Sequence, residues 1–550
     1  MKKFSVLLLL GFPASLFAQT KTPVAPAAVP RPKLVVGIMV DQMRYDFLYR
    51  YWDKYGTGGF KRLVREGYSC ENTHYDYVPT YTGPGHAAVY TGTGPATNGI
   101  IGNEWFVRQT GKSTYVTDDS TVATVGSASQ AGVMSPRNLL SSTVTDELRL
   151  SNNRQSKVIG VCLKDRGCIL PAGHLANAAY WYDGATGNWI TSTYYMSDLP
   201  PWLKAFNDRK LSDQYLSKPW TTLLPPDQYP ESLADNQPFE LLYAGETQSV
   251  FPHNLPKIKE TSDYDLVRRT PFGNTLTREL AVETIRQEQM GKGKVTDFLA
   301  LSFSSTDYVG HQFGPHSIES EDTYLRLDQD LAKLLTFLDG WLGKDQVLVF
   351  LTADHGVANV PAHLKEMRIP AGIFDARQAV SGVKGFLNEA YGKGDWVADY
   401  GNGQVYLNRP FIQSKNVSLA EVQRKTADYV AQLAGVAFAV TATELPGLSA
   451  QNPFYRRLQN GYHRARSGDV LLVLEPAWFD GDPASKGGTT HGSGYGYDTH
   501  VPLLWYGWTI APGSTVAPTS IADIAPTVSG LLKIMEPNGS TGTPIALPRK

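Results

Sequence analysis

The chain has 550 residues, long enough to bury a sizeable core in one large domain or in two or three. Its net charge of −1 becomes −3 once Lys2 and Lys3 leave with the leader described below, and no basic run could track a nucleic-acid backbone or an anionic membrane. Three cysteines, Cys70, Cys162 and Cys168, exclude a disulfide framework and leave at most one bridge.

Residues 1–18 combine two lysines, an apolar run of about ten residues and small residues up to Ala18, the layout of a cleaved signal peptide. That run is too short to span a bilayer, no later segment reaches about 18 uninterrupted apolar residues, and no cysteine stands at the cleavage site. The mature protein is expected to be exported, periplasmic or secreted, without a membrane span. Residues 19–32, rich in Pro and Ala, read as an extended tether, and residues 33–550 as the folded catalytic domain.

"LVVGIMVD" is a continuous apolar run ending in Asp41, which is how a buried parallel strand reads. The same grammar recurs in "KVIGVCLKDR", "TDFLALSFSSTD", "QVLVFLTADH" and "VPLLWYG". Between these lie amphipathic segments: "EDTYLRLDQDLAKLLTFLDG" sets Tyr324, Leu327, Leu331, Leu334, Leu335 and Leu338 on one face with Gly340 as its stop, and Ser418 with Glu421 forms a capping box. Buried strands alternating with such helices predict an α/β/α sandwich around a mostly parallel central sheet, in which ligands gather at the carboxyl ends of the strands. Residues of about 176–270 and 360–500 break the pattern and are expected to be cap insertions over that edge.

Four candidate strands end in polar residues: Asp41; Lys164 and Arg166; Asp307 with His311; Asp354 with His355. The i, i+4 spacing of Asp307 and His311 places carboxylate and imidazole on one helix face, where a salt bridge is the alternative. Lys164 and Arg166, two apart, share a side if their strand persists. The glycine-rich "TTHGSGYGYDTHVP" adds His491 and His500. Asp41, Asp354 and His355 make one set of three ligands and Asp307, His311 and His491 a second, as a two-metal hydrolytic site requires. Oxygen and imidazole donors without thiolate suit Zn²⁺, and also Mn²⁺, Fe²⁺ or Co²⁺. Two divalent ions with Lys164 and Arg166 outweigh three carboxylates, so a phosphate substrate is favoured. In "PTYTGPGHAAVYTG", Pro84 suits a first helical turn and Thr82 stands at its N-terminus, as an anion-facing nucleophile or as an ordinary cap.

In this order, Asp41, the Thr82 motif, "GIIGN", "LKDRG", "STDYVGH", "TADHG" and "TTHGSGYGYDTH" make the chain resemble the alkaline phosphatase superfamily, nearest its PafA-type, phosphate-irrepressible branch. The resemblance implies an alkaline phosphatase-like fold and zinc-dependent hydrolysis of phosphate monoesters by two Zn²⁺ through a phosphothreonine intermediate. It assigns Thr82 as nucleophile and metal-bound oxygen, with Asn103, Lys164 and Arg166 holding phosphate oxygens. It also prefers His491 to His500 as the sixth ligand. Partners are small phosphate monoesters, with no nucleic acid, and a monomer is expected. A phosphodiesterase or nucleotide pyrophosphatase on the same fold is the alternative, and an exported non-catalytic zinc-binding protein a second one.

Overall fold

The computed structural model describes Met1, residues 31–485 and residues 487–550. Apart from Met1, the leader expected over 1–18 lies outside the described residues, as does the tether as far as residue 30.

The apolar runs form strands buried along their whole length: β1 (Leu34–Val40), β2 (Val158–Cys162), β3 (Asp297–Phe303) and β4 (Val347–Thr352). Burial of successive residues means that both faces of the sheet are covered. The four are adjacent and parallel in the order β4-β1-β3-β2, and Ala178–Asp183 continues the parallel run beyond β2. They are the centre of a ten-stranded sheet. Because they are parallel and adjacent, the residues that follow them emerge along one edge.

β5 (Leu503–Gly507) corrects one expectation: its apolar run reads like the others, yet it pairs antiparallel with β4. A strand buried on both faces carries no directional signal in its side chains. Direction is set by the chain path, which here returns after the long insertion that follows β4.

Helix α1 (Thr82–Thr91) lies against this sheet. Gly37 in β1 makes the approach possible, since a Cβ there would stand 2.4 Å from the Tyr90 hydroxyl and 2.5 Å from the Phe350 ring. Helices α2 (Asp165–Ala172) and α3 (Ser305–Phe313) begin just after β2 and β3. Helix α4 (Ile318–Leu342) outruns its predicted stop: Gly340 stays helical with open space around it, and the chain turns at Gly343, φ +99°. At Ser418 the hydroxyl accepts from Glu421 N–H, but Glu421 takes the Tyr391 hydroxyl at 2.8 Å, so the reciprocal half of the capping box is missing.

Between residues 176 and 270, buried Tyr182, Trp189 and Trp220 join the main core. Between 360 and 500 a four-stranded antiparallel sheet, in the order Val397–Gly401, Gln404–Leu407, Val470–Leu474, Val436–Thr441, has its own apolar cluster around Trp396, Val405, Leu407, Val422 and Val430. Cys70, Cys162 and Cys168 are all buried free thiols.

Candidate metal centre

The four strand ends deliver their polar residues to one place. Asp41 directly follows β1, Asp354 and His355 follow β4, and Asp307 with His311 lies on the first turns of α3. Donor atoms of Asp41, Asp354 and His355 all lie within 4.8 Å of one another, as do those of Asp307, His311 and His491. In the first set His355 Nε2 is 3.5 Å from Asp41 Oδ1 and from Asp354 Oδ2. In the second, Asp307 Oδ1 is 3.0 Å from His311 Nε2 and 3.6 Å from His491 Nε2. His500 is elsewhere, stacked between Tyr45 and His74 with its Nε2 at 2.9 Å from the Glu71 carbonyl.

All three imidazoles are oriented from behind. His311 Nδ1 meets the Thr489 carbonyl and His491 Nδ1 the Thr80 carbonyl, both at 2.7 Å, and His355 Nδ1 meets the Gly356 carbonyl at 2.9 Å. A carbonyl partner fixes the proton on Nδ1 and leaves the Nε2 lone pair facing the set. Burial and the neighbouring His491 hold His355 well below the usual imidazole range, and burial with His311 lowers His491 to about 3. Burial and the Asp307 charge push Asp41 up to about 6, and burial and Asp41 raise Asp354 well above an ordinary carboxylate. Asp41 Oδ1, Asp354 Oδ2 and His355 Nε2 are buried with no hydrogen-bond partner. In the first set, crowded carboxylates and a neutral imidazole with orphaned, converging donor atoms fit a divalent cation. In the second, Asp307 holds His311 above its ordinary range and is itself held below its own, an ion pair whose converging donor atoms suit a cation in place of the proton.

Lys164 sits at the junction of the sets, its Nζ 2.6 Å from Asp41 Oδ2 and 2.5 Å from Asp307 Oδ2. Burial opposes its charge, but Asp307 and Asp41 prevail and raise its pKa. The premise that β2 persists through Arg166 fails: β2 ends at Cys162, Lys164 caps α2 and Arg166 lies in its first turn. Arg166 Nη1 donates at 2.7 Å to the Tyr115 hydroxyl, which donates at 2.8 Å to Asp165.

Thr82 is the first residue of α1 rather than its cap; Tyr81 holds the cap position and makes no side-chain cap bond. Its neighbours tie it to both donor sets: the Thr80 carbonyl accepts from His491, and a Cβ on Gly85 would lie 2.4 Å from the Asp354 carbonyl. The Thr80 hydroxyl is engaged with the Ser493 carbonyl at 3.0 Å. Asn103 Oδ1 accepts from Gly83 N–H at 2.8 Å, leaving its amide donors for an anion at the helix N-terminus.

Sequence reasoning missed Gln42 and gave no role to His86. Buried Gln42, at φ +62°, donates its backbone N–H to Asp354 Oδ1 at 3.1 Å and its Nε2 to Asp307 Oδ1 at 2.7 Å, so one residue braces both sets. Nothing in the order of residues signals that backbone state. His86, one turn along α1, joins the Thr82 carbonyl at 2.9 Å to the Ser302 hydroxyl at 2.9 Å and lies 3.4 Å from Asp354; burial holds it at about 3, hence neutral. Its place two residues after Pro84 in the threonine motif was the available signal.

Comparison with known proteins agrees with this architecture. A model of the type I phosphodiesterase / nucleotide pyrophosphatase family matches residues 35–496. A Myroides odoratus protein named calcium-transporting ATPase is 50% identical over 94% of each chain. Alkaline phosphatase PhoV of Synechococcus elongatus is 46% identical, covering 96% of this chain and 94% of its own, and alkaline phosphatase PafA of Elizabethkingia meningoseptica is 46% identical over 94% of each. The crystal structure of PafA matches at a TM-score of 0.91, covering 94% of this chain and 99% of that one. The chain belongs to the type I phosphodiesterase / nucleotide pyrophosphatase family, close to its PafA-type alkaline phosphatase relatives.

Proposed function

We propose that the protein is an exported alkaline phosphatase that hydrolyses phosphate monoesters. The carrying observation is the convergence of two three-residue donor sets on one sheet edge, with Lys164 between them and Thr82 at the adjoining helix N-terminus. The names PafA and PhoV carried by its relatives support the reading. Asp41, Asp354 and His355 would hold one divalent cation and Asp307, His311 and His491 another, with zinc favoured by the donor chemistry. Bound there, the two ions would supply the positive charge that favours ionised Thr82 and water and that offsets charge on the leaving alcohol.

Thr82 Oγ1 attacks phosphorus in line, the P–O bond to the alcohol breaks, and phosphothreonine forms. Asn103, Lys164, Arg166 and the N–H groups of the first turn of α1 bind the other phosphate oxygens, whose charge is spread over them in the transition state. Water attacking from the opposite side then releases inorganic phosphate and restores the threonine. Rates rise toward alkaline pH as the attacking oxygens ionise.

The family model favours a second reading, a phosphodiesterase. Cations at Lys164 and Arg166 support the monoester instead, because the double charge spread over a monoester's three unesterified oxygens needs more positive charge than the single charge of a diester. The name calcium-transporting ATPase fits less well, since among the described residues no helix is long and apolar enough to cross a membrane. The test is kcat/KM for an aryl phosphate monoester and for its methyl diester on one zinc-loaded preparation. A strong monoester preference is expected; a diester preference would replace the reading by the phosphodiesterase.

A further inference from the structure

Beside Tyr81, the residue that precedes Thr82, the loop of residues 490–498 and the antiparallel sheet of the second insertion line a cavity. Aromatic residues, among them Tyr81, Tyr400, Phe454, Trp478, Tyr495 and Tyr497, share its wall with leucines and valines. His491 lines it as well, so cavity and metal centre share a wall. Asp480 and Asp498 supply carboxylates, and among the described residues that line it none is lysine or arginine.

The cavity holds more acceptor capacity than its own neighbours satisfy. Asp498 is 1% exposed; its Oδ2 accepts from Gly492 N–H, Ser493 N–H and the Ser493 hydroxyl, while buried Oδ1 has no partner. The Tyr400 hydroxyl faces the Asp480 carboxylate. Burial pushes Asp498 up to about 7 against the opposing charge of Arg44, and burial with the neighbouring Asp375 raises Asp480.

An aromatic wall bearing carboxylates attracts an organic cation, through ring quadrupoles and Coulomb attraction, and repels anions. The neighbouring cleft has the opposite preference, with Lys164, Arg166 and two donor sets for divalent cations. A ligand that satisfies both is zwitterionic, phosphate at one end and ammonium at the other.

We propose that this cavity is the leaving-group subsite for phosphate monoesters of cationic amino alcohols, with the ammonium head among Tyr81, Trp478, Asp480 and Asp498. The proposal rests on the phosphomonoesterase reading above and adds the substrate class.

Choline phosphate and 3,3-dimethylbutyl phosphate have the same shape and differ in charge, trimethylammonium against tert-butyl. Their kcat/KM values, with 4-nitrophenyl phosphate as reference, would be measured at pH 8 on the zinc-loaded full-length protein and on Asp480→Asn. The expected result is a choline phosphate preference of about tenfold or more in the unaltered protein, falling several-fold in Asp480→Asn. The change in the ratio is the decisive readout, because intrinsic reactivity differences between the esters cancel in it. A ratio near unity in the unaltered protein, or one that Asp480→Asn leaves in place, overturns the proposal while turnover of the neutral esters keeps the phosphatase reading. Failure of all three esters, 4-nitrophenyl phosphate included, overturns both. Should Asp480→Asn not fold, competitive inhibition of 4-nitrophenyl phosphate hydrolysis by choline, compared with 3,3-dimethylbutanol, reads the same preference in the unaltered protein. Choline inhibiting at about tenfold lower concentration supports the subsite, and equal inhibition overturns it.

Discussion

The sheet edge that carries the donor sets and the sheet that faces it from the second insertion are built on different rules. In β1–β4 every residue is buried, and the clustered donor residues come only after the strands have ended. In the insertion, the edge strands Val397–Gly401 and Val436–Thr441 are partly exposed while Gln404–Leu407 and Val470–Leu474 between them are buried, and helices Ala376–Tyr391 and Leu419–Val430 bury only one side against the sheet. A fully packed strand cannot shift without breaking contacts on both faces, so side chains just beyond it are held within a narrow geometry. The insertion sheet contributes cavity walls, in part from its buried central strands, and none of the clustered donor residues. The difference separates the chemistry at the edge from the recognition proposed for the neighbouring cavity.

Substitution of the nucleophile should break the edge most severely. Thr82→Ala is expected to lower kcat/KM for 4-nitrophenyl phosphate by about 10⁴-fold or more, roughly 5 kcal/mol of barrier. Mass spectrometry of acid-quenched turnover should find phosphothreonine in the unaltered protein and none in the variant; near-normal turnover of Thr82→Ala would end the covalent route.

Next in size is the choice between two histidines. His491→Ala should lose one equivalent of bound zinc and about 10³-fold in rate, with His500→Ala keeping both ions, as counted by elemental analysis. An unchanged count in His491→Ala would remove it from the ligand set.

Replacing Lys164 and Arg166 together by Ala should narrow the monoester-to-diester ratio by about 100-fold, because a dianion loses more than a monoanion when two cations are removed. Steady-state kinetics on both esters measures it, and an equal loss on both would detach the pair from monoester selection. Gln42→Ala should be milder. Competition with a chelator is expected to show zinc affinity reduced by about 10- to 100-fold, the usual effect of removing a group that braces ligands.

The smallest effect belongs to the first insertion. His253 is buried between Glu246 at 3.1 Å and Glu319 at 3.1 Å; burial opposes its charge, but the carboxylates prevail and raise it to about 9. A histidine raised in the folded state stabilises fully below its unfolded value of about 6.5 and loses that contribution as pH rises through its folded value. Nearby Glu240, pushed to about 8 by burial and Glu319, loses stabilisation in the same direction up to pH of about 8. The thermal midpoint should fall by a few degrees between pH 7 and 10. His253→Gln should flatten the fall, and an identical slope in the variant would show that the sandwich does not set alkaline stability.

Much of the edge was legible because its signals are local. Asp41 closes an apolar run, Asp307 and His311 share a helix face at i, i+4, and Asp354 and His355 stand between a buried strand and a glycine. The conformation of Lys164 and Arg166 was misjudged because a strand and a capped helix both permit that dipeptide spacing, and the tertiary contacts of α2 decide between them. The direction of β5 was hidden for a related reason, since side chains buried on both faces are indifferent to which way the strand runs.

By itself, then, the sequence determined the alternation of buried strands and helices, the ligand types and the absence of thiolate among them, because composition and short-range periodicity encode these directly. Only the tertiary structure decided that four strands lie adjacent and parallel, that donor atoms of His491 lie beside those of Asp307 and His311 while His500 lies elsewhere, and that Gln42 braces both sets from a left-handed backbone. It also decided that Tyr81 walls one cavity with Asp480 and Asp498, which lie far from it along the chain. Those facts depend on contacts between distant segments, whose geometry is set by packing of the whole core and leaves no trace in the local order of residues.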